Sequence, residues 1–173
     1  MPTPEIPGAL TPAEGAKLAE LAAGGHCLEI GSLFGRSASY LARTARKVVC
    51  VDHFVVGFDW HGRHLEFPIY HDFRRNLADH ANIVAVCMHS EKEADAAAEI
   101  IAEGIFDLVF IDAGHSYEDV RRDIARWLPK VRSGGMAVFH DYDNPQYPGV
   151  RRAVDESGMP EGRVEMLAWR RCR

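Results

Sequence analysis

The chain has 173 residues, enough for one domain with a core of its own. Apolar residues make up 47% and charged residues 26%, with a formal charge of −5, a balance that excludes a basic nucleic-acid-binding scaffold. No apolar run reaches the ~20 residues of a membrane span, and residues 1–10 carry three prolines and no basic segment, so neither a membrane anchor nor a signal peptide is expected.

Thr11-Pro12-Ala13-Glu14 reads as a helix start, with Thr11 as cap and Glu14 closing a capping box. That helix should run to about Ala23 and end at Gly24-Gly25. A first strand follows at His26–Ile30, and a second helix from near Gly35 to about Ala45. The second strand is Lys47–Val51, ending at Asp52. Residues 53–70 are aromatic and histidine-rich and are expected to be an irregular lid. A helix at Tyr70–His80 precedes a third strand, Ile83–Cys87, which runs into Met88-His89-Ser90. Glu91–Glu103 is helical. Phe106–Ile111 is almost continuously apolar, as a strand buried on both faces should be. Ser116 caps a helix whose Val120, Ile124, Trp127 and Leu128 recur at helical spacing. Gly134-Gly135 turns into a fifth strand, Met136–Phe139, and Val150–Glu156 forms the last helix. Arg163–Trp169 is expected to supply a single final strand.

This alternation implies an α/β fold: a Rossmann-like three-layer sandwich, mostly parallel, with helices on both faces and a shortened C-terminal strand region. Four cysteines form no C-x-x-C pair, and three lie in apolar runs, where cysteine acts as a small buried hydrophobe. A reducing cytoplasm is the expected compartment.

In parallel sheets, ligands sit outside the carboxyl ends of the strands. The residues there are Glu29 and Gly31, Asp52 and His53, His89 and Ser90, Asp112 and His115, and His140 and Asp141. The loop Glu29-Ile30-Gly31-Ser32-Leu33-Phe34-Gly35 lacks the G-x-G-x-x-G spacing of dinucleotide folds. Gly31 suits a backbone that a side chain would forbid, and Gly35 suits a helix start drawn close to a ligand. Asp52 follows Gly31 by about the ~20 residues that separate a glycine loop from a ribose-reading acid.

Three segments, LEIGSLFGRSASYLA, FDLVFIDAGHSYEDVRRDIARWLPKVRSGG and AVFHDY with PGVRRAVDE, resemble class I S-adenosylmethionine-dependent methyltransferases. The likeness is strongest to a small bacterial group of macrocin-type sugar O-methyltransferases. It implies that Glu29, Gly31, Ser32, Gly35, Arg36 and Ser37 surround the methionine part of S-adenosylmethionine. By the same resemblance Asp52 binds the ribose hydroxyls, His53, His89 and Ser90 lie near adenine, and Asp112 also meets the cofactor. Asp112, His140 and Asp141 match metal-binding positions, with Mg²⁺ or another divalent cation implied. His115 matches a proposed general base, with Asp112 as the competing base.

The implied reaction is methyl transfer to a hydroxyl of a small molecule, a sugar or phenolic unit of a natural product. Two alternatives stay open: a non-catalytic S-adenosylmethionine-binding protein, and a metal-dependent hydroxylase-like enzyme. The two aspartates could also bind ligand without metal, and His140 could pack under the sheet while Asp141 alone faces the cleft. The acceptor site, small and open, invites completion by a second subunit. No nucleic acid or membrane partner is expected.

Overall fold

The computed structural model describes residues 5–173 apart from positions 61, 89 and 90. In chain order the elements are α1 (Pro12–Leu21), β1 (His26–Ile30), α2 (Arg36–Ala42), β2 (Lys47–Asp52), β3 (Val55–Trp60), β4 (Arg63–Pro68), α3 (Tyr70–Asn76) and β5 (Ile83–Cys87). They continue with α4 (Glu91–Ile100), β6 (Phe106–Ile111), α5 (Tyr117–Trp127), a 3-10 turn (Leu128–Lys130), β7 (Val131–Phe139), α6 (Pro148–Ser157), β8 (Gly162–Val164) and β9 (Leu167–Arg171).

Alternation along the strands decides which helix covers which face. In β1, Cys27 enters one core and Leu28 and Ile30 the other. In β7, Val138 joins the first core while Ala137 and Phe139 join the second. The first core gathers Leu18 of α1, Leu41 of α2 and Phe73 of α3. The second gathers Ala98 of α4, Val120 and Trp127 of α5, and Val154 of α6. A sheet apolar on both faces needs a helical layer on each, and the three-layer architecture follows.

The seven strands lie in the order β5-β2-β1-β6-β7-β9-β8. The first five are parallel, whereas β9 is antiparallel to both β7 and β8. The C-terminal region is short, as expected, but it holds two strands and not one. The chain reverses at Glu165, whose φ is +50, between Val164 and its register partner Leu167. Residues 53–70 are also more regular than the composition suggested. They contain the antiparallel hairpin β3–β4, in which Val56 pairs with Phe67 and Asp59 with His64.

The Gly134-Gly135 pair lies inside β7, not before it. Of the cysteines, Cys27 and Cys50 are buried, while Cys87 on the edge strand β5 is exposed, contrary to its apolar surroundings in sequence. No described helix is long and apolar enough to cross a membrane.

Candidate active site

The carboxyl ends of β1, β2, β6 and β7 open onto one cleft of about 930 Å³. Its first wall is the loop after β1. Gly31 has φ +87, and a Cβ there would stand 2.3 Å from the Asp112 carbonyl oxygen. Only glycine lets β1 turn while lying this close to the end of β6. Gly35, with φ +92, precedes α2, and a Cβ there would meet Leu77 Cδ1 at 2.6 Å. The close approach at Gly35 is thus to α3 and its following turn, not to the cleft, which Gly35 does not line.

Glu29 does not line the cleft either. It is fully buried beneath the loop, on the strand face that meets α2, where Ser32 Oγ donates to its Oε2 at 2.5 Å. Its Oε1 has no complete hydrogen bond. Burial pushes the Glu29 carboxyl up to about 7, against the opposing pull of Ser32, Ser37 and Cys50.

Asp52 is the hub of the second wall. Its Oδ2 accepts the N–H groups of Ser32 (2.6 Å) and Leu33 (2.9 Å). Its Oδ1 accepts the Phe54 N–H at 2.6 Å and faces His53 Nδ1 at 2.8 Å. Burial opposes the charge, but these bonds prevail and hold the carboxyl below its usual value. The His53 side chain is 62% exposed, so this one partner can be exchanged for a ligand.

On the far side, β6 and β7 deliver an acid–histidine cluster. His115 Nε2 lies 3.9 Å from Asp112 Oδ1 and 3.0 Å from Asp141 Oδ2. The two aspartates push His115 up to about 9, so the ring is charged at neutral pH. Tyr147 stacks on it at 4.3 Å with 12° between the rings. Asp141 takes a left-handed backbone, φ +56, which a short polar side chain tolerates. Asn144 Nδ2 also donates to it at 2.6 Å. Despite its burial, these partners and His140 hold the Asp141 carboxyl well below the carboxylate range.

The ligand atoms of Asp112, His115 and Asp141 all lie within 4.8 Å of one another. That convergent set contains His115, where the resemblance implied His140. His140 shares strand parity with Val138, so its ring goes under the sheet toward α1. Its Nε2 lies 3.4 Å from Glu14 Oε2, and its Nδ1 lies 3.3 Å from Asp112 and 3.4 Å from Asp141. Burial opposes the charged ring, but the three acids push it up to about 12.

Gly31, Ser32, Arg36, Ser37, Asp52, His53, Asp112, His115, His140 and Asp141 therefore line one cleft. His89 and Ser90 lie outside the described residues. Arg36 is largely committed elsewhere: its Nε donates to the Leu10 carbonyl at 2.6 Å, and its Nη1 reaches the Ile6 carbonyl (3.0 Å) and Glu5 (2.7 Å). It thereby ties residues 5–10 along the rim, where Pro7, Gly8, Ala9 and Leu10 line the cleft. Glu14 and Tyr147 were not singled out for the site from sequence. The capping box accounts for an acid at position 14, and nothing local marks Tyr147.

Residues 28–142 match a family model described as a methyltransferase domain. Among solved structures, cofactor-bound Rv0187 from MTB superposes with a TM-score of 0.68 at 25% identity, covering 95% of this chain and 82% of that one. An O-methyltransferase from Bacillus cereus in complex with SAH gives 0.66 at 18% identity, covering 95% and 83%. The calicheamicin methyltransferase CalS11 gives 0.66 at 18% identity, covering 94% and 80%. The uncharacterized protein y4gI of Sinorhizobium fredii is 29% identical over 83 residues, which are 47% of this chain and only 9% of that relative's length.

Proposed function

Because the chain belongs to the family of methyltransferase domains, we propose that it transfers the methyl group of S-adenosylmethionine to a hydroxyl of a small molecule, a sugar or phenolic unit. One observation carries the reading. The glycine loop after β1, the Asp52 carboxylate at the end of β2 and a cluster of two aspartates with a histidine share a single cleft of about 930 Å³. Bound S-adenosylmethionine supplies an electrophilic methyl, and what remains for the protein is to orient two reactants and manage one proton.

Asp52 would bind the ribose, with Oδ1 freed for a ligand hydroxyl where the exposed His53 ring can be exchanged. Ser32 and Ser37 border the methionine end, with Glu29 holding Ser32 from below. The acceptor enters beside His115, Tyr147 and Asn144, where the stacked pair of rings offers a flat wall.

The donor set fits a divalent cation. Three ligand atoms converge, and the buried Nδ1 of His140 faces the same two acids without a hydrogen bond. Asp112, His115 and Asp141 would hold the ion, which lowers the pKa of an acceptor hydroxyl when bound. The two aspartates favour the charged ring of His115, so it becomes a ligand or a base only when another cation meets their charge, and a ring that holds the ion through Nε2 is not also the base at that nitrogen.

Calorimetry with S-adenosylmethionine, with and without Mg²⁺, followed by label transfer to a panel of sugars and phenols, tests this. Asp141→Asn is expected to abolish turnover while cofactor affinity stays. No binding at millimolar cofactor overturns the reading. Turnover that survives both EDTA and Asp141→Asn overturns the role of the metal alone.

A further inference from the structure

Behind the acids of the cleft stands a buried pair, Glu14 and His140, of which the reading above uses only His140 Nδ1. The side chains of Glu14 and His140 are 1% and 2% exposed. Glu14 is fixed from several directions. Its Oε2 accepts the Thr11 N–H at 2.8 Å and its Oε1 accepts the Met166 N–H at 2.8 Å. Its remaining partner is His140 Nε2, 3.4 Å from Oε2. A capping box explains the contact with Thr11. It does not explain why this carboxylate is buried against a histidine from the opposite end of the domain.

The other ring nitrogen supplies the second observation. His140 Nδ1 is buried, lies 3.3 Å from Asp112 Oδ1 and 3.4 Å from Asp141 Oδ2, and completes a hydrogen bond with neither. Histidines that bind metals anchor their other N–H on a carboxylate or carbonyl, which fixes tautomer and ring direction. A ligand nitrogen must be free of its proton. In this pair, the nitrogen held by a carboxylate is Nε2, and the nitrogen aimed at the acids is Nδ1.

We propose that Glu14 is a positioning residue for the candidate metal centre, holding His140 by Nε2 so that Nδ1 faces a cation bound by Asp112 and Asp141. The inference rests on the metal-assisted reading above. It also sets the preference of the centre. Imidazole donors suit Zn²⁺, Fe²⁺ or Co²⁺, whereas Mg²⁺ favours oxygen.

The test is calorimetric titration of the full chain, free of cofactor, with Co²⁺ alone and with Mg²⁺ alone. Glu14→Gln is expected to weaken Co²⁺ by about 10–100-fold and Mg²⁺ by less than about threefold, with S-adenosylhomocysteine affinity unchanged. The ratio of the two ions is the readout, because a general loosening of the site weakens both alike. An equal ratio in wild type and Glu14→Gln overturns the proposal and leaves metal binding intact. A wild-type protein that binds neither ion overturns both. Glutamine lacks one acceptor oxygen, so if Glu14→Gln fails to fold, His140→Gln carries the test. Its Co²⁺-to-Mg²⁺ ratio must fall, and an unchanged ratio overturns the proposal.

Discussion

Glu29→Gln should make the cofactor-free protein more stable at alkaline pH and leave it nearly unchanged in acid. The carboxyl is fully buried, has one incomplete oxygen, and is pushed up to about 7. An ordinary glutamate titrates near 4.5. The folded state therefore binds this proton more tightly than the unfolded state, and stability falls as the pH rises from about 4.5 to about 7. Tenfold in proton affinity is ~1.4 kcal/mol, so ionising Glu29 inside the fold costs about 3 kcal/mol. Glutamine removes the charge and keeps an oxygen to accept from Ser32. At ~2–4 °C per kcal/mol, the variant should melt roughly 6–12 °C above wild type at pH 8 and close to it near pH 4.5. Thermal or urea unfolding across that range measures this, and taking the difference between the two proteins cancels the other titrating groups. A difference between variant and wild type that is the same at both ends of the range would refute the argument that Glu29 is buried and hard to ionise.

Asp52→Asn should weaken S-adenosylhomocysteine by about 10–100-fold, the worth of a hydrogen bond to a charged partner; unchanged calorimetric affinity would remove Asp52 from the ribose site. Arg36→Ala should release residues 5–10, since it deletes the bonds to Leu10, Ile6 and Glu5. Hydrogen exchange at those amides should rise several-fold relative to α2, and unaltered protection would mean that packing alone holds the segment.

The elements that carry a strong period are legible in the sequence alone. β5 and β6 have the bounds that their apolar runs suggest, and Ser116 caps α5 through the Asp119 N–H. Two features escaped for local reasons. The β3–β4 hairpin turns at a Gly62 with φ +74, but Gly57 and Asp59 interrupt the strand pattern before it. The β8–β9 turn is made by Glu165, a residue type that gives no turn signal, so two short strands look like one. In the site, strand ends predict which positions reach the cleft but not which way the last residue leans. His140 continues the parity of β7 and goes under the sheet; Asp141 breaks it by a positive φ. Glu14 lies 126 residues from its histidine, and no local pattern links them.

Backbone strain gives an independent reason to regard the strand ends as the working part of the molecule. Four described non-glycine residues have a positive φ: Leu33, Phe54, Asp141 and Glu165. Each such residue costs of order 1 kcal/mol and persists only when its surroundings over-determine it. Three of them follow β1, β2 and β7; Leu33 and Asp141 line the cleft, and Phe54 packs into the core just behind it. One carboxylate secures two of these, because Asp52 accepts the N–H of both Leu33 and Phe54. Asp141 is secured by His115 and Asn144. The fourth, Glu165, stands in the turn whose next amide, that of Met166, donates to Glu14. Asp52 thus fixes two strained residues, Asp141 is strained itself, and Glu14 binds the amide next to the fourth; these three carboxylates are the ones proposed for the ribose, the cation and the positioning of His140. Packing alone gives no reason for strain to gather beside these carboxylates, whereas a site that must hold carboxylates in fixed directions does.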